Sequence, residues 1–168
     1  MPLMSRHIEL RTSFGHPPDR VYAALTDENC LRERLAEIGG RKSELVSYSV
    51  DGGTTTAVMR QGIDAEYLPG IVRRITPHGV TIDRAETWRA ADQKGTVEAS
   101  VHGFTGSLHG TTAVTETAGG SELVIDGEIR VGIPLIGGTI ETVIAEQLGR
   151  LLRAEAKYTN RWLDSHQA

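Results

Sequence analysis

A single cysteine, Cys30, rules out an intramolecular disulfide, and its setting in "DENCLRERL" supplies no neighbouring histidine. A buried structural thiol is the expectation. Aromatic residues make up only 5% of the chain, with two Phe, two Trp and four Tyr. There is no basic excess: 18 Lys and Arg stand against 22 Asp and Glu, for a formal charge of -4. Bulk charge therefore gives no reason to expect a nucleic-acid partner. No window holds the roughly 18 apolar residues of a membrane span, and "MPLMSRHIEL" lacks a cationic segment followed by an apolar run of signal-peptide length. A soluble cytoplasmic protein with no transmembrane segment is expected. At 168 residues, 39% of them hydrophobic, the chain has the size of one domain, 1–168, able to bury about 70% of its unfolded surface.

Two helical segments bracket a long middle that reads as strands. From Arg6 to Phe14 the residues alternate, with Ile8, Leu10, Thr12 and Phe14 on one face of a half-buried strand. After "GHPPDR", where Pro18 suits the first helical position, Val21, Tyr22 and Leu25 begin an apolar stripe that Leu31, Leu35 and Ile38 resume. Because Thr26, Asp27 and Asn29 are N-cap candidates, two short helices meeting near Asp27 are predicted, ended by Gly39 and Gly40.

From Lys42 to Arg130, period-2 segments alternate with turn signals every ten residues or so, the pattern of an antiparallel meander. Val46, Tyr48 and Val50 precede the hairpin turn "DGG", and "TTTAVMRQ" follows it. Further strands are predicted at Gly79 to Trp88, Gly95 to His102, Ser107 to Thr117 and Glu122 to Arg130. "YLPGIVRRITPHG" interrupts them, and its Ile71, Val72 and Ile75 suit a short helix or flap over an opening in the sheet.

The final segment, from Leu135 or Thr139 to Ser165, is a helix of nearly thirty residues, or about 40 Å at 1.5 Å per residue. Its wheel gathers Ile140, Ile144, Leu148, Leu151, Ala154, Tyr158 and Trp162 on one face. Thr142, Glu146, Arg150, Arg153, Lys157 and Asp164 lie opposite. Gln147 and Glu155 fall within the apolar arc, and are expected at its edge or past the sheet rim in water. In "VGIPLIGGTIE", Ile129, Val131 and Ile133 continue the last strand's alternation, Pro134 ends it, Gly137 and Gly138 turn the chain, and Thr139 is placed to cap the helix.

A search for catalytic chemistry returns no constellation, and no catalytic residue, metal site or cofactor is assigned. His102 and His109 flank "GFTGS" and could meet across a hairpin, but a third metal ligand of suitable spacing is missing, so solvated strand histidines are expected. Glu86 with Arg60 and Arg74 suits polar groups inside a cavity, or equally a cross-strand ion pair. The glycine pairs of "SVDGGTTT" and "TAGGSE" sit in hairpin turns, where they cradle no phosphate.

A strand, a helical pair, a curved antiparallel sheet of about six to seven strands and a long C-terminal helix, in that order, make an α+β chain whose sheet wraps around its last helix. In this order of elements the sequence resembles the START-like helix-grip superfamily of polyketide cyclases, lipid-transfer domains and plant pathogenesis-related allergens. More narrowly, "GIPLIGGTIE", the following "AEQL" and the closing "WLDSH" look like the C-terminal signature of a bacterial family of unknown function within it. The resemblance implies a cavity between sheet and helix that takes a small hydrophobic molecule, lipid or polyketide-like. The small residues of "TVEASVHGFTGSLHGTTAVTET" suit either such a hollow or close packing of the helix.

Candidate wall residues on the strands are Tyr48, Met59, Trp88, Val101, Phe104 and Val114; those on the helix are Ile140, Ile144, Leu148 and Tyr158. A noncatalytic binder or carrier is favoured over the alternatives. Those are a cyclase- or dehydratase-type enzyme, and a protein-interaction or chaperone-like domain using the loops at the cavity mouth. A homodimer is the assembly entertained.

Overall fold

The computed structural model describes residues 4–103, 105–132 and 137–166. Strand β1 (Met4–Phe14) leads into helices α1 (Pro18–Leu25) and α2 (Glu28–Ile38). Six strands follow: β2 (Glu44–Asp51), β3 (Thr54–Ile63), β4 (Val80–Arg89), β5 (Lys94–Val101), β6 (Gly106–Thr117) and β7 (Gly120–Val131). A 3₁₀ turn, Ala65–Tyr67, and helix α3 (Gly70–Ile75) lie between β3 and β4, and α4 (Gly137–Ser165) closes the chain. The seven strands form one antiparallel sheet in the order β1-β7-β6-β5-β4-β3-β2. The chain is thus α+β, with a meander closed by its first strand and a long helix packed on β1 and β7 and flanked by α1 and α2.

Local chemistry accounts for most element boundaries. Pro18 opens α1 with its φ already helical, and the break between α1 and α2 is set by Asp27, whose side chain accepts from the Cys30 amide at 2.8 Å. Cys30 itself is buried, and desolvation pushes its thiol up to about 12, so it is held neutral. Gly110 and Gly127 face one another on β6 and β7, where an added Cβ would come within 2.6 Å of a backbone oxygen. Only glycine lets the two strands approach there. At the open edge of β1, Asn160 of α4 accepts from the Gly15 amide at 3.2 Å and donates to the Ser13 carbonyl at 3.5 Å, covering backbone groups that no strand pairs.

Three expectations change. In β2 the inward residues are Leu45 and then Tyr48, because the register slips between Leu45 and Ser47; Val46 sits in this bulge, 45% exposed. The buried face of α4 is turned by about one residue: Leu152, Glu155, Ala156, Thr159 and Leu163 point inward, Ala154 is exposed, and Tyr158 and Trp162 are half-buried. Both of those rings reach Glu33 of α2, Tyr158 through its hydroxyl at 3.2 Å and Trp162 through Nε1 at 3.1 Å. The apolar-stripe reading placed Glu155 within the arc but expected it at the edge or in water, and it passed over Thr159; both stand at the centre of the contact. Thr139, expected as the cap, lies inside the first turn of α4; Ile133, Pro134 and the Leu135 start fall outside the described residues. Removing the α2 cap with Asp27→Ala is expected to cost about 1 kcal/mol, read as a lower urea midpoint at unchanged slope.

Candidate functional site

The inner face of β3, β4 and β5 is layered along the strands. Nearest α3 lie Ile63, Val80, Ile82 and Val101; next come Met59, Arg84, Glu86 and Ala99; beyond them come Trp88 and Val97. α4 runs over all three layers, matching Ile144 and Leu148 to the first, Glu155 to the second and Leu163 to the third. The charged side chains thus stand as a belt between the apolar clusters at the two ends of the sheet, with a third cluster under α2.

The first layer is not filled. An apolar pocket of about 60 Å³ is walled by strand residues Ile63, Val80, Ile82 and Val101 and by Val143, Ile144, Gln147, Leu148 and Leu151 of α4. Leu68 and Val72 cover it from the segment between β3 and β4, so α3 is the lid that the interrupting motif suggested. An engineered cavity of about 150 Å³ admits benzene; by that standard this pocket accepts the end of an aliphatic chain and excludes a ring. Beside it runs an open groove of about 510 Å³ between the end of α2, β3 and α4, which shares Ile63, Ile82, Gln147 and Leu151 with the pocket and adds Gln61, Asp64, Tyr67 and Arg150. The two spaces thus adjoin through shared side chains, the pocket apolar and the groove with polar groups in its wall.

The belt lines neither the pocket nor the groove; it occupies the next layer of the interior, around a separate small void. Arg84 donates to both oxygens of Glu155 at 3.0 Å and to Glu86 at 2.7 Å. Arg34 of α2 stands 3.8 Å from Glu155, an ionic contact too long for a hydrogen bond, and reaches the Met59 sulfur at 3.5 Å. All four charged side chains are under 9% exposed. Burial pushes the Glu155 carboxyl up, but Arg34 and Arg84 together outweigh it and hold the group below its ordinary value. Burial likewise opposes the charge on Arg84, and Glu155 and Glu86 overcome it. Arg84 and Glu155 are therefore held in their charged forms. Against the belt, Thr12, Arg34, Trp88 and Thr159 line a void of about 10 Å³, and each has a buried polar atom without a hydrogen-bond partner among the described residues. That volume is close to the minimum for one water.

Of the ten candidate wall residues, Val101, Ile144 and Leu148 meet in the apolar pocket, and Ile140 is buried in the same core beside it. Trp88 and Val114 belong to the opposite core, where Trp88 meets Tyr22 edge to face. Met59 packs under Arg34 with Leu31 and Leu35, and the Tyr48 hydroxyl donates to the Thr26 carbonyl at 2.5 Å. Tyr158 lies on the outer flank against Glu33, where desolvation and then Glu33 push its phenol up to about 12; Phe104 is outside the described residues.

His102 and His109 do not meet: His102 pairs with Asp83 at 2.6 Å and His109 lies 3.7 Å from Glu98, both largely exposed. Asp83 also takes Arg60, at 2.8 Å, on the outer face, so only Glu86 of that trio is interior and Arg74 is exposed. No metal cluster occurs among the described residues, and no helix among them is long and apolar enough to cross a membrane.

Sequence reasoning passed over Arg34, Gln61 and Arg84. Their signal was present: Arg84 and Glu86 occupy inward positions of an alternating strand, and Gln61 does the same on β3. Glu155, expected in water, is 4% exposed, because it brings its partners with it.

Glu155→Ala would leave Arg34 and Arg84 under-compensated in the interior and is expected to cost about 3–5 kcal/mol, measured by urea unfolding. The Glu155 carboxyl is depressed in the folded state from an ordinary value of 4.5, so the unfolded chain takes up the proton first as pH falls. Its stabilising contribution is complete above pH 4.5 and is lost below it; Glu155→Gln should flatten that part of the stability profile.

The chain matches the profile of "Protein of unknown function (DUF2505)" over residues 9–163. An uncharacterized protein of Mycobacterium bovis and one of Mycobacterium tuberculosis are each 28% identical over 174 aligned positions, covering 97% of this chain and 99% of theirs. Among solved structures, a Thalictrum flavum norcoclaurine synthase point mutant in complex with a transition-state analogue superposes with a TM-score of 0.66 at 12% identity, covering 100% of this chain and 99% of that one. The Zhui aromatase/cyclase from Streptomyces sp. R1128 gives 0.65 at 14%, covering 98% and 100%. Ara h 8.0201 gives 0.61 at 13%, covering 93% and 98%. At such identities these likenesses speak for the fold, and they agree with the resemblance carried by the order of elements. The chain belongs to the DUF2505 family of proteins of unknown function and has the START-like, polyketide-cyclase-like helix-grip fold.

Proposed function

We propose that this protein binds or carries a small hydrophobic molecule between its sheet and α4, without transforming it. The observation that carries the reading is the apolar pocket under α3, walled by aliphatic side chains and adjoining a groove with polar groups at its rim. An enclosed apolar space forgoes dispersion contacts that a filled core would make, and an aliphatic guest restores them. The start of α4 and the lid supply walls from separate elements, so the space can widen by a shift of the six-residue α3 without disturbing the charged belt.

An acid–base enzyme on the same scaffold needs a group that titrates near its working pH. Glu155 has moved the other way: it is locked between guanidiniums, with both oxygens accepting from Arg84. That favours a structural carboxylate over a catalytic one. The interaction-domain reading asked for an exposed apolar patch from Leu68 to Ile75; Leu68 and Val72 are buried there, and the exposed ring is that of the neighbouring Tyr67.

Native mass spectrometry of gently purified protein is expected to show a copurifying apolar molecule that organic extraction removes. Ile144→Trp, which places a large ring in the pocket, should reduce its occupancy at least about tenfold while the fold, followed by circular dichroism, is retained. Repeated absence of any bound molecule from the wild type, together with no calorimetric binding of a medium-chain alkane or alcohol, would overturn the reading.

A further inference from the structure

Gln61 stands between the charged belt and the groove. It projects inward from β3, paired in register with the pocket residue Ile82, and is only 4% exposed. Its Nε2 donates to Glu155 Oε2 at 3.4 Å. The chemistry of Glu155 decides which end of the amide faces it. A carboxylate held between Arg34 and Arg84 can only accept, so the NH₂ group must point toward it; the opposite flip would set two acceptors against each other. Gln61 Oε1 is therefore turned away from the belt. It is buried and has no hydrogen-bond partner among the described residues, although the side chain belongs to the groove wall. A buried amide carbonyl left in this state costs about 1–3 kcal/mol.

Gln147 of α4, half-buried, lines the same groove as Gln61 and the apolar pocket as well. Of the other polar groups at the groove, Asp64 and Arg150 belong to its solvated outer rim. Gln147 is thus the polar side chain common to pocket and groove, and Gln61 is a buried polar side chain of the same groove.

We infer that Gln61 and Gln147 form a hydroxyl clamp that selects the ligand's head group: Gln61 Oε1 accepts the ligand's O–H, and the Gln147 amide donates to the same oxygen. A hydroxyl does both at once. An ether or ester oxygen only accepts, and it leaves Gln61 Oε1 as it is, buried and unpaired. The ligand class is accordingly a neutral amphiphile with a hydroxyl one chain length from an aliphatic end. This inference rests on the pocket reading above and adds the chemistry of the head group to it.

The test compares 1-octanol with its isomer 1-methoxyheptane, which has the same heavy atoms and no O–H, by titration calorimetry on the full chain. The alcohol is expected to bind roughly tenfold tighter than the ether, about the worth of one well-made hydrogen bond. Without a hydroxyl site the ether, which is easier to desolvate, would bind at least as well. Gln61→Leu should remove the preference by weakening the alcohol more than the ether, and Gln147→Leu should reduce it. Equal affinities in the wild type would overturn the clamp while leaving the pocket reading intact. An alcohol preference that survives in a folded Gln61→Leu would also overturn it. Failure of both molecules to bind would overturn the pocket reading and the clamp together. The wild-type ratio decides the matter even if a variant fails to fold.

Discussion

Four charged side chains sealed beneath the long helix govern the interior of this protein. Arg34 from α2, Arg84 and Glu86 from β4, and Glu155 from α4 come from three elements that are distant in the chain, and none of them can leave without stranding another. A buried ion pair is not in itself a source of stability, since apolar residues of similar volume can serve as well. Its effect here is on geometry. Rotating α4 by one residue would carry Glu155 about 100° away from Arg84 and leave charges unpaired in a medium that penalises them heavily. The belt therefore sets the rotation of α4 and the docking of α2, and it stands between the apolar clusters at the two ends of the sheet.

That division gives the two ends of the molecule different characters. On one side Phe14, Trp88, Val114, Leu123 and Leu163 pack with α1 in a core that leaves a void of only about 10 Å³ against the belt. On the other, the covering element is α3, six residues long, and the aliphatic side chains beneath it leave a space. Short helices contribute little stability of their own, so the lid is held mainly by the apolar contacts of Leu68 and Val72. The same contacts that close the pocket are those an aliphatic guest would replace. A weakly held lid over an apolar space beside a polar rim follows from one arrangement.

Much of this was legible along the chain. The alternation of β1, the break at Asp27, the meander and the lid segment each rest on interactions between near neighbours, and each was found at or within a few residues of its expected place. The candidate wall was only partly legible: Val101, Ile144 and Leu148 meet at the pocket, whereas Trp88 and Val114 pack in the other core, and Tyr48 and Tyr158 spend their hydroxyls on backbone and on Glu33. Periodicity says which side of a strand faces inward but not which of several interior layers a residue joins. The helix wheel went astray at Glu155 for a related reason: hydrophobicity ranks a lone carboxylate as a surface group, and its two arginines lie 71 and 121 positions away in the chain.

The sequence by itself determined the elements, their order and hence the α+β helix-grip arrangement, because caps, turns and apolar periodicity act over a few residues and survive without tertiary context. It also determined that the last helix has a charged outer face, where water rather than packing is the partner. Only the tertiary structure decided which polar residues are interior, how α4 is rotated and where the unfilled space lies. Those outcomes depend on charge pairs and on side-chain volumes summed across strands far apart in the chain, and a buried polar group becomes affordable only when its partner arrives from elsewhere in the fold.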